Sequence, residues 1–403
     1  MQDINGTLSH FSNPRANIKN SYSDEQKQIM DVARTDGAMR EISLWPGYQI
    51  TPLLNLSALA ENAGFANIWY KDESKRFALK SFKALGGAYA VGRQLQNILE
   101  EKTGSRPSIK ALLEGQFKSE ISTLQVSCAT DGNHGRSIAW GAQMFGCGCV
   151  IYIHSGVSEG RKEAIEAFNA TVIRIDGNYD ESVRLADSEA AIHKRIIVSD
   201  TSYEGYMEVP KDVALGYTVM LAELVTQLRG EIPTHVFIQA GVGGLASAVC
   251  GYFWSLWGEQ RPRCVIVEPE QANCLQESAR AGKPVIIKGE LKTLMAGLAC
   301  GEVSALAWQI LENGADDFMT VSEDTIPDVM RLLAKGYQTD PAIEAGESAV
   351  PGLAAALLAA RSSDFCEKLA LNADSKILVL GTEGATDPEL YQKLTGINPT
   401  VGH

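Results

Sequence analysis

The sequence predicts an α/β fold with two open, twisted, mostly parallel sheets flanked by helices. Three observations carry that prediction. Short β-rich runs alternate with helical stretches along most of the chain, the pattern of parallel strands with covering helices. Many of those runs are continuously apolar, as strands buried on both faces are. Two of them lead straight into a glycine-bearing loop and then a helix.

The elements follow in order. Residues 1–45 are polar and irregular, with one helical stretch near 24–40, and read as an arm. Strands are expected at 68–70, 125–128, 150–153, 172–175, 196–198, 235–239, 265–267, 318–321 and 377–380. Helices are expected between them, for example at 159–167, 212–229, 245–257, 324–335 and 352–361. No internal repeat or low-complexity linker interrupts the series. Two sheets in one chain imply two domains, with a ligand cleft between them or at strand C-termini. The expected division is a large domain of residues 1–94 plus 206–403 and a smaller inserted domain of residues 95–205.

The bulk properties narrow the function. The chain has 403 residues, enough for two or three domains. With 36 Lys plus Arg against 49 Asp plus Glu, the net charge is −13. So acidic a chain lacks the electrostatic footprint of a nucleic-acid binder and is ill suited to anionic lipid. It suits a soluble, cytoplasmic protein. No apolar run reaches the roughly 20 residues of a membrane helix, and the best candidate, 349–360, is interrupted by Pro351 and Gly352. The N-terminus has neither the basic nor the apolar region of a secretory signal. The eight cysteines form no CxxC pair and read as reduced, mostly buried thiols. The Lys75/Arg76 pair reads as a solvated face. No His/Cys/Asp/Glu cluster has metal-ligand spacing, so no metal is expected.

Three segments carry chemistry. Lys83 closes the run Ser81-Phe82-Lys83 at a helix start. A lysine amine there can hold an aldehyde cofactor as a Schiff base, and the apolar flank of Phe82 and Leu85 lowers the cost of keeping it neutral. The loop Gly241-Val242-Gly243-Gly244 follows one strand and opens a helix. Its amides and the helix N-terminus suit a phosphate. Three readings stay open for this loop: a dinucleotide fingerprint with Glu268 on a ribose hydroxyl, a cup for one cofactor phosphate, or a plain tight turn. The segment Thr130-Asp131-Gly132-Asn133-His134-Gly135 follows another strand. Thr130, the loop amides and Asn133 could bind a carboxylate and a ring hydroxyl, whereas a helix cap alone would use one polar residue.

Together these segments resemble the fold type II pyridoxal-phosphate enzymes, the family of tryptophan synthase β and threonine dehydratase. Thr51-Pro52-Leu53, Lys71-Asp72-Glu73, Ser81-Phe82-Lys83, Asp131-Gly132-Asn133-His134-Gly135, the loop at 241–244 and Gly381-Thr382-Glu383-Gly384 occur in that family's order. Further runs bring the chain closer to the diaminopropionate ammonia-lyase family. They are Lys71 to Phe77, Asp200-Thr201-Ser202-Tyr203-Glu204-Gly205-Tyr206, Met295 to Glu302 and Gly346-Glu347-Ser348. The chain departs from that family's pattern at Ala78 and Lys80, where Gly and Asn are expected.

The resemblance implies pyridoxal 5'-phosphate as cofactor and an active site between two domains. It places Lys83 on the cofactor aldehyde and Gly241, Val242, Gly243 and Gly244 on the phosphate. Asn133 falls on the ring hydroxyl and Thr382 opposite the pyridine nitrogen. A hydroxyl there leaves that nitrogen neutral, which disfavours transamination and is compatible with prompt loss of a β-substituent. Asp131 and Asp200 match the two aspartates that take the Cα proton, one per substrate enantiomer. Thr130, Asp131, His134 and Tyr206 are the expected substrate contacts, with Glu204 nearby. The expected reaction is α,β-elimination of 2,3-diaminopropionate to pyruvate and ammonia by a homodimer. A dehydratase of serine, threonine, 3-hydroxyaspartate or phenylserine is the nearest alternative. A nicotinamide oxidoreductase and a non-catalytic binding relative stand behind it.

Overall fold

The structure is a computed structural model that describes residues 4–130, 132–177 and 179–400. Among these residues there are eleven strands: β1 (Leu8–Ser12), β2 (Leu53–Asn55), β3 (Asn67–Asp72), β4 (Gln125–Ala129), β5 (Gly148–Ile153), β6 (Thr171–Arg174), β7 (Ile196–Ile197), β8 (His235–Gln239), β9 (Arg263–Pro269), β10 (Asp317–Val321) and β11 (Lys376–Gly381). The nine strands expected from sequence are all present. The chain divides into two compact units.

The larger unit comprises Met1–Val32, Ile50–Lys80 and Met220–His403. Its seven-stranded sheet has the order β1-β10-β9-β8-β11-β3-β2. The five central strands are parallel, and the edge strands β1 and β2 are antiparallel to their neighbours. Strands β8 and β10 are buried at every residue, which is why each is built around apolar neighbours, Val236-Phe237-Ile238 and Phe318-Met319. The helix Pro351–Ala359, with Pro in its first turn, lies in the same core, buried at every residue but Leu358. The expected irregular arm therefore contains a strand: β1 pairs with β10 from Leu8↔Val321 to Ser12↔Asp317. The expected helix at 24–40 is two helices, Asp24–Ile29 and Thr35–Ile42. A capping box between Ser23 and Gln26 starts the first, and Met30 leaves helical geometry to end it.

The smaller unit comprises Ala33–Gln49 and Ser81–Val219. Its four-stranded sheet, β6-β5-β4-β7, is entirely parallel. Residues 33–49, 81–94 and 206–219, expected in the large domain, pack within this unit instead. The reason is a close helix pair, Lys83–Thr103 against Asn133–Phe145. A Cβ at Gly141 would stand 2.8 Å from the Ala88 Cα, and one at Gly87 would stand 2.6 Å from the Ser137 Oγ. The Ser137 hydroxyl in turn accepts a hydrogen bond from the Ala88 amide at 3.0 Å. Glycine weakens a helix intrinsically, but here Gly87 and Gly141 let two backbones meet.

No described helix is long and apolar enough to cross a membrane. All eight cysteines are free thiols.

Candidate active site

In the smaller unit Lys83 opens its helix, with the Phe82 ring 5.6 Å from its Nζ and Leu85 buried beside it. The expected apolar flank is present, and a carboxylate faces the amine as well: Lys83 Nζ donates a short hydrogen bond to Asp200 Oδ2. Asp200 lies just beyond β7, in a segment tied down by Tyr206. The Tyr206 hydroxyl donates to the Ile197 carbonyl at 3.0 Å and accepts from the Ser199 amide at 2.9 Å. Tyr206 thus spends its hydroxyl on the backbone that carries Asp200. Glu204 is exposed.

His134 is buried, and its Nε2 meets the Val198 carbonyl at 3.0 Å. A carbonyl only accepts, so Nε2 carries the hydrogen and Nδ1 of the neutral ring presents a lone pair. That Nδ1 has no hydrogen-bond partner and lies 3.8 Å from Asp200 Oδ2. Burial pulls the His134 pKa down, outweighing the nearby Asp200 charge, so the ring is neutral at neutral pH. For Asp200, burial works to raise the carboxyl, but His134 and Lys83 oppose it and hold it well below the usual carboxylate range. Because His134 is neutral, the Lys83 ammonium is the charge responsible.

The loop before this helix is closed by Thr130. Its Oγ1 accepts from the Gly132 amide at 3.1 Å and the Gly135 amide at 3.2 Å. Gly135 has no room for a side chain, since a Cβ would lie 2.3 Å from the Thr130 Cγ2. Asn133 begins the helix half-buried. Asp131 lies outside the described residues. Within this unit the structure brings Lys83, Asp200 and His134 together, while Thr130 and Tyr206 hold their loops. Tyr217, which sequence reasoning missed, joins the group. Its ring packs on Phe82 at 4.7 Å, and its phenol is influenced by both Lys83 and Asp200.

In the larger unit β8 runs into residues 240–243 and then the helix Gly244–Trp257. Gly243 has φ +98°, a left-handed conformation that suits glycine. No side chain caps the helix N-terminus. The first-turn amides therefore remain for an anion. The loop is backed by protein: the Ser304 amide donates to the Val242 carbonyl at 2.9 Å, and a Cβ at Gly241 would stand 2.8 Å from the Cys300 Sγ. Glu268 does not take a ribose. Its two oxygens accept from the Leu275 and Gln276 amides, each at 2.8 Å, and it is wholly buried. Burial pushes its carboxyl up to about 8 despite those amides. This removes the ribose contact on which the dinucleotide reading drew; a cup for one phosphate and a plain tight turn both fit the loop's geometry.

Thr382 is buried at the end of β11. Its Oγ1 accepts from Gln239 Nε2 at 2.9 Å and donates to the Ser348 carbonyl at 3.2 Å. Lys80, the departure noted in sequence, sits at φ +52°. Its ammonium is spent on Glu344 Oε1 at 2.8 Å and the Thr400 carbonyl at 2.9 Å. Arg76 is not on a solvated face: it is fully buried in ion pairs with Glu73 and Glu223, whereas Lys75 is exposed.

Each unit by itself carries groups that fit pyridoxal phosphate: in the smaller, an amine for the aldehyde with orphaned buried polar atoms beside it; in the larger, an uncapped helix start suited to the phosphate. Comparison with known proteins agrees. The chain belongs to the pyridoxal-phosphate dependent enzyme family, whose model matches residues 44–383. It is 41% identical over 354 residues to the diaminopropionate ammonia-lyase of Escherichia coli (strain K12), covering 86% of this chain and 87% of that one. It is 37% identical over 358 residues to the diaminopropionate ammonia-lyase of Salmonella typhimurium (strain LT2), covering 87% and 88%. A crystal structure of the Escherichia coli enzyme, in complex with an aminoacrylate-PLP azomethine reaction intermediate, superposes with a TM-score of 0.87 at 37% identity over 97% of both chains. Within its family the chain therefore falls among the diaminopropionate ammonia-lyases.

Proposed function

We propose that this enzyme converts 2,3-diaminopropionate to pyruvate and ammonia by α,β-elimination, with one water consumed and two ammonia molecules released. The single observation that carries this reading is the Lys83–Asp200 pair beside the neutral His134, in a chain whose relatives bear that activity. Pyridoxal phosphate, when bound, supplies the electron sink that makes the substrate Cα–H acidic enough to be removed.

The protein's own residues do the rest. Lys83 tethers the aldehyde and, once the amino acid takes its place, has an amine with which to carry protons. Asp200 Oδ2, adjacent to that amine, takes the Cα proton from one enantiomer; Asp131 serves the other. The uncapped amides of residues 241–244 hold the phosphate, Asn133 the ring hydroxyl and Thr382 the ring nitrogen. Thr130, Asp131, His134 and Tyr206 border the substrate, Thr130 and Tyr206 chiefly by fixing the backbone around it. A carboxylate beside the reacting carbon attracts the β-ammonium of diaminopropionate, an attraction a β-hydroxyl does not need. The enzyme acts as a cytoplasmic homodimer, a reading supported by its acidic charge and by the prevalence of two-fold assemblies.

A substrate panel tests the reading. Pyruvate release from either diaminopropionate enantiomer should exceed that from serine, threonine, 3-hydroxyaspartate or phenylserine. Brisk turnover of a hydroxy amino acid with none of diaminopropionate would replace it with a dehydratase. Light scattering in solution tests the dimer.

A further inference from the structure

Tyr217 lies on the helix Glu208–Gln227, in an apolar stretch that reads as core. It is 2% exposed. The structure makes unusual room for it: a Cβ at Gly86, three residues after Lys83, would stand 2.3 Å from its Cε1. Phe82, on the other side of Lys83, packs on the same ring. The ring is thus clamped by residues flanking the reactive lysine. Packing alone would be met by phenylalanine. The hydroxyl is the puzzle, because it is buried and completes no hydrogen bond, yet it lies within hydrogen-bonding range of Lys83 and in the field of Asp200. A buried hydroxyl left unsatisfied destabilises a fold. Such a group, held on a rigid ring beside a reactive amine, marks a function. The titratable groups that act on it are Lys83 and Asp200, and His134 and Cys128 act on that pair in turn.

We infer that Tyr217 is a positioning residue for Lys83: its hydroxyl donates to the amine lone pair whenever Asp200 is engaged with substrate. The geometry explains why two partners are needed. A carboxylate can only accept, from the ammonium or from an N–H of the neutral amine, so Asp200 offers nothing to the amine lone pair. A phenol can do both, accepting from the ammonium and donating to the amine. The neutral amine, the form that carries protons, therefore has Tyr217 as its partner. This inference rests on the roles proposed for Lys83 and Asp200.

Tyr217→Phe tests it, because the ring still fills the Gly86 gap. The holoenzyme variant should keep its yellow chromophore and melt no earlier than the parent. Its kcat should fall roughly 3- to 10-fold, the worth of one hydrogen bond, with KM within about 2-fold. The acid limb of its kcat profile should move to higher pH. Cofactor-stripped Tyr217→Phe should capture added pyridoxal phosphate more slowly at neutral pH, converging with the parent at high pH. Parental kcat, pH profile and capture rate would overturn the inference, as would an earlier melt with activity lost only in proportion to unfolded protein. Should the Phe variant not fold, 3-fluorotyrosine at position 217 keeps the shape and lowers the phenol pKa; an unshifted profile there overturns the inference equally. Retention of the chromophore by Lys83→Ala is the separate result that would remove the underlying reading.

Discussion

Two clusters of charge in this protein contrast in how fully they are satisfied. In the larger unit, Lys71, Glu73, Arg76 and Glu223 are sealed from solvent. The Arg76 guanidinium donates to both oxygens of Glu73, at 2.8 and 2.9 Å, and to both of Glu223, at 2.8 and 2.7 Å. Lys71 spends its three ammonium protons on Glu223, the Thr51 carbonyl and Gln227, at 2.9, 2.8 and 2.9 Å. In the smaller unit, Lys83 and Asp200 are paired but part-exposed, and His134 Nδ1 and the Tyr217 hydroxyl have no hydrogen-bond partner. A buried network pays its desolvation cost only when every donor and acceptor is matched. The first cluster is matched and builds the fold. The second keeps capacity in reserve, and that reserve is what chemistry uses.

The sharpest test of the contrast is Lys83→Ala. It should lower kcat by at least about 10³-fold and abolish the chromophore, while the melting temperature stays near that of the parent holoenzyme. Asp200→Asn should keep the chromophore and lose about 10²-fold or more in kcat for one diaminopropionate enantiomer; equal loss for both would break the division of labour with Asp131. Glu223→Gln should do the reverse. Leaving Arg76 and Lys71 short of a carboxylate in a sealed site should cost about 3–5 kcal/mol of stability, read by urea unfolding, with kcat per folded molecule unchanged. A loss of kcat without a loss of stability would erase the distinction between the clusters.

The smallest effect is in the pH dependence of stability. Burial lowers the pKa values of His134 and His235. Both bind fewer protons folded than unfolded, so their contribution is present above about pH 6.5, the ordinary histidine value, and is lost as pH falls below it. Glu268 runs the other way. Raised to about 8, it binds its proton more tightly in the fold, so stability is lost as pH rises through about 8. Melting temperature plotted against pH should decline on both sides, and Glu268→Gln should flatten the alkaline side.

The parallel strands were legible because a strand buried on both faces is mostly apolar at consecutive positions, as in Cys149–Ile153. β1 was not, since an edge strand such as Leu-Ser-His-Phe-Ser is half polar and owes its structure to β10, far along the chain. The same limit hid the sealed charges. Lys75 and Arg76 are adjacent and chemically alike, and only the distant Glu223 decides that one is buried. Lys83 and His134 were legible from residue types gathered beside glycines, and Asp200 from the family resemblance. Tyr217 was not, because an aromatic in an apolar helix usually belongs to the core. The available signal was Gly86-Gly87 just after Lys83, which requires some other side chain to fill the space.

The strand at Leu8–Ser12 has a further meaning. It runs along β10, every residue of which is buried, and occupies backbone groups that would otherwise form an open sheet margin. Open margins recruit foreign strands and seed aggregates. Proteolytic nicking after residue 12, or a bulky tag that lifts this segment away, would expose an adhesive face, and the first symptom in the laboratory would be turbidity rather than lost turnover.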